Sequence, residues 1–89
     1  MEFRIKYSEY AVSDLDDISE YLNQFYERTL ERFLTAYEER VSILTRNPYA
    51  FRVCPYNTRY RQMPVTDYVV IYKVIEATGE VKVYRVLHG

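Results

Sequence analysis

The sequence has one cysteine, Cys54, and one histidine, His88, in 89 residues. A single cysteine excludes an internal disulfide and a zinc knuckle, and it fits a reducing compartment. A Cys/His nucleophilic pair is open only if the loop around Cys54 meets the C-terminus. An excess of charge of one sign is also missing. Twelve basic against thirteen acidic side chains leave a formal net charge of −1, so no global positive field draws the chain to nucleic acid or to an anionic membrane. Any such binding must come from a local cluster. No apolar run approaches the ~20 residues of a membrane span. The N-terminal "MEFRIKYSEY" alternates too sharply for a signal peptide. The expectation is a soluble, cytoplasmic protein with no membrane partner. Glycine and proline are scarce, at two and three residues, beside 48% hydrophobic and 28% charged residues. That composition excludes a linker or a disordered tail. The length allows one domain, residues 1–89, whose core hides somewhat more than ~60% of the unfolded surface.

What the chain has in quantity is tyrosine, eleven in all. Tyrosine buries a ring and keeps a wet hydroxyl, which suits a thin protein whose apolar surfaces lie near solvent or meet a partner. In "EFRIKY" (2–7), Phe3, Ile5 and Tyr7 alternate with Arg4 and Lys6, the period of a half-buried strand. Ser8 can then cap a helix with Glu9 in its first turn. Ala11, Leu15, Ile18, Leu22 and Phe25 recur at helical steps, with Asp14, Asp16, Asp17 and Glu20 mostly elsewhere. A single helix from 9 to 46 would be about 57 Å long at the standard rise, too long for so small a domain, so a break is expected near Gln24 to Glu27. The second helix carries Leu30, Phe33, Leu34, Tyr37, Val41 and Leu44. It ends at "RNP", where Asn47 precedes Pro48.

Residues 47–58, "NPYAFRVCPYNT", read as a long connecting loop and a candidate for partner contact. Three strand-like runs follow: 59–65, 68–75 and 80–87. Thr66-Asp67 and Ala77-Thr78-Gly79 are short enough for hairpin turns, so the runs should form an antiparallel meander, with Pro64 at a strand end or edge. The resulting class is α+β in the order β-α-α-β-β-β. Both faces of the strand at 68–75 are apolar, Val69, Ile71 and Ile75 on one and Tyr68, Val70, Tyr72 and Val74 on the other. One helical pair covers only one face, so a second protein or a second copy of the chain is expected on the other. The acidic run of the first helix does not converge: Asp14 and Asp17 share one side, Asp16 and Glu20 another, with no histidine, which reads as a solvated face and not a metal site.

The pattern "YAVSDLDDISEYL", the "NP" after the second helix, "YRQMPVTDYVVIYKV" and the closing "VYRVLHG" together resemble the RelE/ParE superfamily of type II toxins, or plasmid-stabilisation proteins, over nearly the whole chain. The resemblance implies a helical hairpin on a small curved antiparallel sheet and a cognate antitoxin that wraps and neutralises the toxin. The sequence shows no cofactor signature, and none is expected. Two mechanisms occur in the superfamily: RelE-type members cut mRNA on the ribosome, and ParE-type members poison DNA gyrase without cutting RNA.

Under the nuclease alternative the catalytic candidates are Arg59, Arg61, Arg85 and His88, with Tyr84 and Glu80 less suitable. Phosphate charge must be stabilised and protons moved at the 2′-hydroxyl and the leaving oxygen, and His88 has the right ordinary pKa. Arg59 and Arg61 share a strand face, as a clamp for phosphate or an acidic partner or as two solvated charges. Arg85 and His88, three apart, point to opposite faces of an undistorted strand, and His88 reads first as an ordinary strand end. Val69 stands where the resemblance to the nucleases implies an arginine. The spacing of Ala11, Asp14, Leu15, Ile18 and Tyr21 and the ending "RVLHG" resemble the ParE branch, in which basic residues usually follow "HG"; here none does. The leading expectation is therefore a ParE-like toxin acting by protein binding, with a homodimer or a toxin–antitoxin hetero-oligomer as its assembly. A non-toxic antitoxin-binding homologue is the third reading.

Overall fold

The computed structural model describes residues 2–25 and 27–89. The elements run β1 (Arg4–Tyr7), α1 (Glu9–Leu22), α2 (Glu27–Arg46), β2 (Arg61–Val65), β3 (Tyr68–Ile75) and β4 (Glu80–His88), with one 3₁₀ turn, Glu76–Thr78, before β4. The expected order holds, and the break between the helices falls where their combined length required it, with Tyr26 outside the described residues. Ser8 caps α1 as its type suggests: its Oγ accepts from the Ala11 amide at 3.0 Å and donates to the Tyr84 carbonyl at 2.6 Å.

The four strands form one sheet in the order β1-β4-β3-β2. The meander β2-β3-β4 is antiparallel as expected. The sheet as a whole is mixed, which corrects the expectation of a wholly antiparallel one: β1 lies parallel to β4, Ile5 beside Val81 and Tyr7 beside Val83. A parallel neighbour needs a long crossover, and here the helical pair and two strands supply it. Alternation within "EFRIKY" marks a strand but carries no information about its partner.

β4 contains a bulge. Ile71 sits opposite Arg85 and Tyr72 opposite Val83, leaving Tyr84 as an extra residue on β4. The shift of phase is what lets Val81, Val83 and Val86 all reach the helix side, where they are buried with Met63, Val65, Val70 and Tyr72. From the helices, Ala11, Ile18 and Leu22 of α1 and Phe33 and Leu44 of α2 complete that core. Some residues expected on the inner stripes, Phe25, Leu34 and Val41, lie outside it. Phe25 falls beyond the end of α1, exposed and edge-on to Tyr21 at 5.1 Å, and Leu34 is 44% exposed.

The strand expected from Arg59 starts at Arg61 instead. Residues 53–61 fold back on themselves, with Cys54 N–H donating to the Tyr60 carbonyl at 2.8 Å and Val53 bridged to Arg61. Cys54 is buried in that turn as a free thiol.

Candidate functional site

The sheet has two faces, and the helices cover one. On the other, strand alternation brings three lysines into one row: Lys6 of β1 stands beside Lys82 of β4, and Lys82 beside Lys73 of β3. Their neighbours in each strand, Tyr7, Val83 and Tyr72 on one side of the row and Ile5, Val81 and Val74 on the other, belong to the opposite face. Tyr84, next but one to Lys82, lies between two further rings, 5.3 Å from the Tyr60 centroid and 6.0 Å from that of Tyr10. The Lys73 Nζ lies 5.9 Å from the Tyr60 ring centre. Lys73, Lys82, Tyr10, Tyr60, Tyr84 and Ser8 line a hollow of about 260 Å³, and Lys6 stands next to Lys82 outside that lining. Farther along the same face, Val69, Ile71 and Leu87 form an apolar stretch, half-buried to exposed. The apolar surplus expected on β3 is thus real, and it faces away from the helices.

None of the lysines was singled out by the sequence. Each is a polar position of an amphipathic strand, and only the pairing of β1 with β4, distant in the chain, aligns them. The signal lay in phase: Lys6, Lys73 and Lys82 each occupy the outward beat of their strand.

The four nominated residues are distributed over different partners. Arg59 is an exposed turn residue whose amide donates to Asn57 Oδ1 at 3.1 Å. Arg61 does not share its environment: on the same beat of β2 as buried Met63, it donates from Nη1 to the Phe51 carbonyl at 2.8 Å and lies 5.0 Å over the Tyr49 ring. It fastens the 47–58 loop to the sheet, and Tyr49 donates onward to Glu76. Arg85 forks onto Asp14, Nε to Oδ2 at 2.7 Å and Nη2 to Oδ1 at 2.9 Å. Asp14 Oδ2 also accepts the Val86 amide at 2.9 Å.

That last bond has a structural reason. β1 ends at the level of Val83, so β4 continues with a bare edge, and Asp14 of α1 takes the place of the missing strand. The Arg85 hydrogen bonds, helped by the Val86 amide and outweighing the opposing effect of burial, hold the Asp14 carboxyl below its ordinary pKa. Pairing with Asp14 likewise raises Arg85. His88 lies beyond the bulge, where alternation from Arg85 is regular, and so turns to the other face. It packs edge-on to Tyr68 at 5.2 Å, in a hollow shared with Asp17, Ile18 and Tyr21 of α1. Of the lesser candidates, Glu80 pairs with Arg4 at 3.7 Å and Tyr84 lies among the rings of the open face. Among the described residues no group of histidine, cysteine and carboxylate side chains is placed to hold a metal ion. No described helix is long and apolar enough to cross a membrane.

Comparison with known proteins adds to this geometry. A profile of the family described as "ParE toxin of type II toxin-antitoxin system, parDE" matches residues 5–89. No curated protein matches the chain by sequence. Solved structures share its fold at low identity, among them three from toxin–antitoxin systems. The first, from the chromosomal ParDE system of P. aeruginosa, has a TM-score of 0.76 and 18% identity over 97% of this chain and 95% of that one. A chain of the RelBE2 toxin–antitoxin complex of Mycobacterium tuberculosis has a TM-score of 0.69 and 16% identity, covering 100% of both. A chain of the intact E. coli RelBE complex has a TM-score of 0.58 and 16% identity, covering 98% and 96%.

Proposed function

From the premise that the chain belongs to the ParE family of toxins of type II toxin–antitoxin systems, we propose that it inhibits DNA gyrase by protein binding and is neutralised by a cognate antitoxin. The observation that carries this reading is the employment of the nuclease candidates elsewhere. Arg61 holds a loop, Arg85 is closed onto Asp14, and His88 is packed on Tyr68 on the helix side. Cleavage of RNA needs a cation and a proton carrier converging on one phosphate. A protein-binding poison needs only a surface, and Val69, Ile71 and Leu87 beside the tyrosines offer one of suitable character. The antitoxin is the partner suggested by the toxin–antitoxin complexes in which the structural relatives occur.

The experiment is expression of the chain alone and with the small protein encoded beside it. Growth arrest with DNA-damage signalling and intact mRNA, loss of gyrase supercoiling by the purified chain, and relief by the neighbour's product are expected. Normal growth would overturn the toxin reading of this chain, and codon-positioned mRNA cuts would replace gyrase by the ribosome. The substitution His88→Ala should leave arrest intact under the gyrase reading and abolish cutting under the other.

A further inference from the structure

We propose that the lysine row and the tyrosine cluster of the open sheet face form a nucleotide-binding site, with phosphate on Lys6, Lys73 and Lys82 and a base against Tyr84 and Tyr10. This goes beyond the gyrase reading and stands or falls separately from it.

Like charges placed directly opposite on neighbouring strands repel, which makes such a row a cost to the folded state. Here three cations occupy adjacent positions, and Lys82 has one on either side. The ion pairs among the described residues are Arg4–Glu80 and Arg85–Asp14, and none of the three lysines enters one. The molecule as a whole carries a net charge of −1, so this concentration is not a by-product of a basic composition. A local rule broken without a structural gain marks a functional surface, and the missing counter-charge is an anion.

The rings decide which anion. Tyr10 is 60% exposed and Tyr84 40% exposed, side by side at the margin of the lysines, so a ligand with charge at one end and a flat apolar face at the other satisfies both. A nucleotide has that form, and stacking of bases on aromatic side chains beside a cationic track is a general mode of single-strand recognition. The hollow, about 260 Å³, has room for one such unit and not for a packed helix. The role is binding and not cleavage: the histidine is on the other face, and the Ser8 hydroxyl is occupied between the Ala11 amide and the Tyr84 carbonyl. The same chemistry is offered by a free nucleoside triphosphate and by an unpaired strand.

The test uses the full purified chain and a fluorescent eight-residue deoxythymidine strand, followed by anisotropy at several salt concentrations. Saturable binding is expected, weakening with salt. Lys82→Gln and Lys73→Gln should each weaken it several-fold and reduce the slope of log affinity against log salt by ~0.7. Tyr84→Leu should weaken the strand but leave competition by inorganic triphosphate unchanged. Circular dichroism controls for folding, which the exposed Lys6→Gln secures as a further variant. If ATP competes as well as the strand, mole for mole of ligand, the source is free nucleotide; if the strand is far the better competitor, the source is an unpaired strand. No binding at low salt, equal binding by the lysine variants, or equal competition by poly-glutamate would overturn the site, the last by making it a seat for an acidic peptide. Gyrase inhibition measured on the lysine variants reads the other proposal independently.

Discussion

Asp14 accepts three hydrogen bonds on two oxygens, two from Arg85 and one from the Val86 amide. Its carboxyl is therefore doing the work of a strand neighbour and of a counter-ion at once. Asp14→Ala leaves the buried Val86 amide without its acceptor, a loss of ~1–3 kcal/mol, while the exposed Arg85 guanidinium turns to water; for a domain of this size Tm falls by about 4–8 °C per kcal/mol. Urea or thermal unfolding followed by circular dichroism measures it. The pH dependence has a fixed sign. Because the folded pKa lies below the ordinary 3.8, the contribution is present in full above that value and is lost as pH falls through the folded pKa. Asp14→Asn should flatten the stability curve of the protein below about pH 4; an unchanged acid limb would show that the pair contributes nothing. In the sequence Asp14 was legible as part of a family spacing, and its purpose was not, because a bare edge on β4 exists only once β1 has ended short of it. The same applies to Arg61, whose type and strand position suggested phosphate and whose neighbours turned out to be a carbonyl and a ring.

At the scale of elements, helix starts and turns were legible because their causes are local. Ser8 before Glu9, Pro48 after Asn47, and Gly79 between two apolar runs each act within a few residues. Gly79 adopts φ 66° as the turn after Glu76–Thr78 closes, and a Cβ there would meet nothing within 4 Å. Any cost of substitution is then backbone strain alone. Gly79→Ala should cost ~1–2 kcal/mol, and Gly79→Asn less, since asparagine tolerates the left-handed region; chemical denaturation of the two variants separates strain from packing. Thr66, at φ 52° in the β2-β3 turn, already bears such a strain without glycine. The bulge and the parallel seat of β1 are harder to read. The valines at 81, 83 and 86 change phase between the second and third, which is the trace a bulge leaves, but nothing in the run itself says whether the extra residue is Tyr84 or Arg85.

The whole molecule separates its charges. Glu9, Asp16, Asp17 and Glu20 are exposed on α1, and Lys6, Lys73 and Lys82 share the opposite layer, so a nearly neutral chain carries an acidic and a basic side. Between them the tyrosines are divided in the same way, some on the open face and some in the core. Burial pushes Tyr72, whose hydroxyl donates to the Pro48 carbonyl at 2.7 Å, up to about 12. It raises Tyr68 as well, and it raises Tyr37, whose hydroxyl donates to Tyr7, further still. A tyrosine whose folded pKa is raised holds its proton in the native state after the unfolded chain has released it. Its contribution to stability is complete below the unfolded value of about 10 and is lost as pH rises through the folded value. Stability should therefore decline steadily from pH 10 to pH 12 with Tyr72 titrating, and the buried tyrosines should ionise together with unfolding and not before it. Following tyrosinate absorbance and circular dichroism through one alkaline titration checks both. Tyr72→Phe, less stable at neutral pH by ~1–3 kcal/mol because the Pro48 carbonyl loses its donor, should lose stability less steeply above pH 10. Parallel slopes for the two proteins would mean that the core tyrosines ionise in the folded state, and that this thin domain admits water to the layer between its helices and its sheet.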